Sequence, residues 1–307
     1  MNESINKNHK SGLWVFVLLF GAYLVGNITI SMFIYEEFAL YHQLVDVLIP
    51  CLLYLVVTKQ PVISTLKLNV GLSVKNIWRI FQLFLASFLV KYGINYLVDV
   101  VVKVDSGEVT MQVLDMVPDM WIFFISVAVI PVILEEVFLR GVVLDHFRDV
   151  TLLQASIVTG ILFGIIHIDL GQLGYATALG IVMGAIVMVT GSLWAGILFH
   201  FLNNFLSFAV LASLKKAEEM FPELYDVEQI LQGQSVDLTP KDEVYMIITA
   251  VVVLIIGGLL SVRYVKKMIK ENDFKDVDSQ VSWFKLFFNV PMGIILLVYL
   301  GMNLFLW

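Results

Sequence analysis

Apolar residues run along this chain in long stretches separated by short polar links. Nine such stretches fall at about 13–35, 39–57, 77–101, 120–147, 151–169, 172–190, 192–213, 244–264 and 284–306. A bilayer core takes about 20 apolar residues of helix, and a helix satisfies its own backbone hydrogen bonds where no water is present to do so. The pattern therefore predicts an all-α polytopic membrane protein of about eight or nine transmembrane helices. The second and sixth stretches give the weakest signal, one interrupted by Asp46 and the other diluted by glycines. The longest polar interval, about 215–243, is too short for a soluble domain. The expected organisation is three N-terminal spans within 1–119, a four-span core at 120–213, and an acidic loop followed by C-terminal spans at 214–307. The first stretch follows a basic start, as a signal peptide does, but it is longer and lacks a small-residue cleavage pattern, so it reads as a retained span.

Composition agrees with this, at 59% hydrophobic and 15% charged residues with a mean hydropathy of +0.89. The net charge of -7 says less than its distribution. With the N-terminus in the cytoplasm and nine alternating spans, Lys7, Lys10, Lys59, Lys67, Lys75, Arg79, Arg148 and the six basic residues from Arg263 to Lys285 fall on the cytoplasmic side, Arg140 being discounted because it lies within the fourth stretch. Only Lys103, Lys215, Lys216 and Lys241 fall outside, beside the acidic stretches "DSGEVTMQVLDMVPD" and "EEMFPELYDVEQI". This positive-inside bias predicts a multi-pass cell-membrane protein with a cytoplasmic N-terminus. The basic residues form no patch interleaved with aromatics, so nucleic acid is not an expected partner. The single cysteine, Cys51, rules out an intrachain disulfide and a Cys-x-x-Cys metal site, and reads as a packing residue.

The fourth stretch carries the chemistry. In "VILEEVFLRG" two glutamates and an arginine sit within six residues of an apolar run, where each ionised group costs about 2.5–3.5 kcal/mol on the translocon scale. Glu136 and Arg140 are four apart on one helix face and suit an ion pair. Glu135 points about 100° away and is left to face something else. Pro131 should loosen this helix and free a backbone carbonyl. The candidates opposite Glu135 are His167 in "ILFGIIHIDLG", and His200 with Asn203 or Asn204 in "GILFHFLNNF". Counted from the expected cytoplasmic ends, Glu135 lies ~20 Å deep, His167 ~25 Å and His200 ~12 Å, all within one middle slab. Phe and Met at helical spacing, Phe163 included, read as packing. Asp46, Lys91 and Asp169 read as structural or vestibule residues.

A carboxylate and an imidazole sharing one water make a general-base pair, and a second imidazole with a carboxamide supplies donors for a developing oxyanion. Alternatively, Glu135, His167 and His200 form a possible zinc-ligand set, although no His-Glu-x-x-His arrangement is present. Rival readings are a non-catalytic scaffold or bacteriocin-immunity protein, and a transporter using the same buried charges. No internal repeat supports the transporter.

The three motifs resemble those of the CAAX-protease and bacteriocin-processing (CPBP, or Abi) family of intramembrane proteases, relatives of Ras-converting enzyme. "EEVFLR" is similar to its Glu-Glu-x-x-x-Arg motif, "FGIIH" to Phe-x-x-x-His and "HFLNN" to His-x-x-x-Asn, over about Trp121 to Phe208. The resemblance implies an intramembrane endopeptidase acting on a peptide or membrane-protein substrate within the lipid bilayer. It implies Glu135 as general base, His167 as its partner on the water, His200 and Asn204 as oxyanion donors, and Glu136 with Arg140 in support. It resolves the asparagine pair towards Asn204 and leans to a metal-free mechanism.

Overall fold

The computed structural model describes residues 7–33, 43–102, 119–221 and 240–306, and all of their regular structure is helical. The acidic stretches at 105–119 and 218–230 lie for the most part outside the described residues. Among the described residues nine apolar helices stand where the nine stretches predict them: α1 His9–Phe33, α2 Leu44–Val57, α3 Val74–Val102, α4 Met120–His146, α5 Leu152–Ile166, α6 Leu170–Thr190, α7 Leu193–Met220, α8 Pro240–Glu271 and α9 Val290–Leu306. Six of them (α1, α3, α4, α6, α7 and α8) are long and apolar enough to cross a membrane, whereas α2, α5 and α9 are shorter. The chain is thus an all-α, multi-pass membrane protein.

The sixth stretch, one of the two with weak signals, forms a full-length helix, because its glycines serve packing rather than breaking. A Cβ on Gly180 of α6 would come 2.8 Å from the Gly160 Cα of α5, and one on Gly160 would come 2.7 Å from the Ile181 backbone nitrogen. Small residues let two membrane helices approach backbone to backbone, where van der Waals contact replaces the missing hydrophobic drive. Gly164 and Gly184 extend the same contact by one turn on each helix.

Polar links sew one face of the bundle together. Buried Asp145, at the end of α4, takes an ion pair from Lys7 before α1, another from Lys67 in the α2–α3 link at 3.4 Å, and a third from Arg148 at 2.8 Å. Burial pulls the Lys67 ammonium below its ordinary range, while the Asp145 charge opposes that shift. His9 bonds Asp149 at 2.6 Å, the Leu152 N–H donates to Asp276 at 2.7 Å, and the Ser192 hydroxyl donates to the Val70 carbonyl at 2.5 Å. The start of α1 and the links after α2, α4, α6 and α8 therefore share one side.

α4 is irregular. The Ile130 N–H reaches back five residues to Ile125 O, and Leu144 N–H to Leu139 O, so two wide π-type stretches flank a regular segment at Ile130–Glu136. Pro131 lies at the junction. Such wide turns recur where a helix carries functional groups, because they re-aim side chains without ending the helix.

Candidate active site

The regular segment of α4 sends adjacent glutamates in different directions. Glu136 and Arg140 are both fully buried and pair at 2.9 Å. The second arm of the guanidinium donates to Gly180 O at 3.2 Å, and its carbon lies 4.5 Å over the Phe163 ring. Glu136 Oε1 also faces His200 Nδ1 at 3.3 Å. A carboxylate oxygen accepts, so Nδ1 is the donor and Nε2 is the nitrogen left for other work.

Glu135 turns to the other side. Its side chain is 16% exposed, and its Oε2 lies 3.9 Å from His200 Nε2, too long for a hydrogen bond. That oxygen has no hydrogen-bond partner among the described residues. His167 follows the last residue of α5 and donates from Nδ1 to Phe163 O at 2.7 Å. A carbonyl can only accept, so Nδ1 carries the proton and a neutral ring keeps its lone pair on Nε2. The chain then turns through Ile168, at φ +53°, and Asp169 caps α6 by accepting from the Gly171 N–H at 2.7 Å. That cap gives Asp169 a structural role.

The carbonyl freed by Pro131 is also accounted for. Proline has no N–H to return to Val127 O, and Asn204 Nδ2 on α7 donates to that oxygen at 2.9 Å. Asn204 keeps its second amide hydrogen and its own oxygen for the cavity. Asn203 also lines the larger cavity, but its amide is tied up: it donates to Phe199 O at 2.9 Å and accepts from Ser87 on α3 at 2.9 Å. Ser87 is the sequence-silent partner that separates the two asparagines.

Two cavities meet here. The larger, about 230 Å³, is lined by Glu135, His167, His200 and Asn204, together with Lys91, Tyr175 and Ser207 among others. The smaller, about 170 Å³, lies towards α1 and α2, with Tyr23, Gln43 and Val47 in its wall. Both touch Glu135 and His167, which therefore stand at the partition between them. The structure brings together all four residues expected to do chemistry and both supporting ones. It does not gather a compact ligand set: among the described residues no three His, Cys, Asp or Glu side chains are grouped so as to hold a metal ion.

Two contributors are missing from the sequence reading. Phe163, the first residue of the Phe-x-x-x-His motif but given no role beyond packing, stands edge-to-face to both His167 (centroids 4.9 Å apart) and His200 (5.3 Å) while lying beneath Arg140. Its place one turn before His167 was the available signal. Gly196, one turn before His200, is the other. A Cβ there would collide with Glu136 Oε2, so the missing side chain makes room for the buried carboxylate.

Residues 117–206 match the family model described as type II CAAX prenyl endopeptidase Rce1-like. The "Putative membrane peptidase YdiL" of Bacillus subtilis (strain 168) is 26% identical over 180 residues, covering 58% of this chain and 71% of that protein. No solved structure matches. The matched segment runs from just before α4 to the turn that carries Asn204, and it contains all three motifs and every residue of the Glu136 seam. Over that core segment the chain is similar to the Rce1-like CAAX endopeptidases and to a membrane peptidase, and the likeness supports a membrane peptidase.

Proposed function

We propose that the protein is an intramembrane endopeptidase that hydrolyses a peptide bond with a water held between Glu135 and His167. The observation that carries this reading is the position of those two residues at the partition of the cavities, with His200 and Asn204 facing the larger one. The water oxygen attacks the scissile carbonyl carbon while its proton passes to the Glu135 carboxylate. The carbonyl oxygen becomes an oxyanion beside Asn204 Nδ2–H and His200, whose Nε2 must carry a proton for this purpose. When the C–N bond breaks, Glu135 returns that proton to the leaving amine. Glu136 does not touch substrate; it holds Arg140 and fixes the His200 ring by its Nδ1.

The mechanism is of the glutamate type, without a metal. The stitched face, with its lysines and arginines, is assigned to the cytoplasm. The larger cavity runs the other way, past Asn204 to exposed Ser207 and on to Leu211, so its substrate is a peptide or membrane protein reached from the outer side, in keeping with maturation of a secreted or membrane peptide.

The test uses purified protein in detergent with a proteome-derived peptide library, comparing wild type with Glu135→Gln and adding a chelator in parallel. Cleavage lost in the variant and kept with chelator is the expected outcome. Loss in both points to a metal. If wild type cuts nothing and Glu135→Gln still complements a deletion strain, the scaffold or immunity reading replaces this one.

A further inference from the structure

Lys91 lies on α3, outside the 117–206 segment that matches the family. It lines the same cavity as Glu135, His167, His200 and Asn204. An ammonium inside a span is costly, and lysine ordinarily limits that cost by reaching to the membrane surface. Lys91 is half-buried and turns to the cavity instead. Its Nζ donates to Ser207 Oγ on α7 at 3.2 Å and stands 4.9 Å over the Tyr175 ring of α6. Arg140 offers the contrast, its charge being matched by Glu136 at 2.9 Å. No carboxylate among the described residues pairs with Lys91, although its ammonium faces the cavity in which substrate is read to bind.

We propose that Lys91 binds a carboxylate of the substrate and thereby sets which peptides the cavity accepts and where they are cut. A terminal carboxylate and an Asp or Glu side chain offer the same chemistry, two acceptor oxygens for a charge-assisted bond.

This proposal rests on the peptidase reading for its cleavage readout, and the experiment separates the two. Fluorescently labelled apolar peptides of one sequence are prepared as the free acid, as the C-terminal amide, and as the amide with one internal Glu. Binding is measured by anisotropy on Glu135→Gln protein in detergent, and cleavage by mass spectrometry on wild type. Each is repeated with Lys91→Met and with Lys91→Arg. The expected result is that one carboxylate-bearing form is bound and cut at least ~10-fold better than the neutral amide, the scale of a charge-assisted hydrogen bond. That preference collapses in Lys91→Met, returns in Lys91→Arg, and the cleaved bond moves along the peptide with the carboxylate. A better free acid identifies the chain terminus as the ligand, and a better Glu peptide identifies a side chain. Equal handling of all three forms by wild type, a preference that survives Lys91→Met, or no binding of any form overturns the proposal. Lys91-dependent binding without cleavage by wild type leaves the carboxylate site standing and removes the peptidase reading.

Discussion

Glu135 and Glu136 are neighbours in the chain but belong to different regions of the molecule. Glu136 is part of a sealed seam with Arg140, Gly180 O and His200, closed over by Phe163 and made possible by the bare backbone at Gly196. Among the described residues both glutamates leave Oε2 without a hydrogen-bond partner, but only Glu135 forms the wall of the two cavities. The difference teaches that burial of charge in a membrane has two separate solutions. One neutralises the charge within the protein, and the other leaves it at the edge of a polar space.

Variants can break that comparison or sharpen it. The largest effect is expected from Arg140→Ala, which strands a fully buried carboxylate; removal of one partner of a buried pair costs about 3–5 kcal/mol. Thermal unfolding in detergent should show the loss, and a stability within 1 kcal/mol of wild type would break the seam as described. Glu135→Gln should be its mirror image: an unchanged melting curve with peptide cleavage lowered by about 10²–10⁴, the range of general-base catalysis. A coupled loss of stability would show that Glu135 is structural too. Asn204→Ala should lower kcat by about 10²–10³, as loss of one oxyanion donor does, with part of any stability loss traceable to the Val127 carbonyl it leaves unbonded. Gly196→Ala tests the seam from the opposite helix. The added methyl must displace Glu136 Oε2, and overpacking of this kind costs about 1–3 kcal/mol, with a parallel fall in cleavage because His200 moves with that carboxylate. The smallest effect belongs to Ser87→Ala, about 1 kcal/mol for one lost hydrogen bond to Asn203, read as a small shift in the melting curve with kcat little changed.

Much of the site was legible because membranes make polar residues conspicuous. Glu135, Glu136 and Arg140 stood out by cost alone, and the i, i+4 spacing assigned the pair correctly. The loosening by Pro131 was legible too, but not which side chain would answer the freed carbonyl, since Asn204 approaches from another helix. Phe163 and Gly196 were hidden for the same reason that they matter. An apolar ring and an absent side chain carry no charge to mark them, and their roles exist only relative to groups on α4 and α7. Lys91 was visible as an oddity, and only its neighbours Ser207 and Tyr175 showed that it turns to the cavity.

By itself the sequence determined the helical class, the nine apolar segments, and the identity of the ionisable groups within them. Those follow from hydropathy and backbone satisfaction, which are local and additive along the chain. Tertiary structure alone decided which of two adjacent glutamates is sealed and which meets the cavity. It also decided which asparagine lies against Ser87 and which reaches Val127, and that two spaces join at Glu135 and His167. The physical reason is that a side chain's partners in a bundle come from helices distant in sequence, and their approach is set by small residues such as Gly160 and Gly180 that let backbones touch.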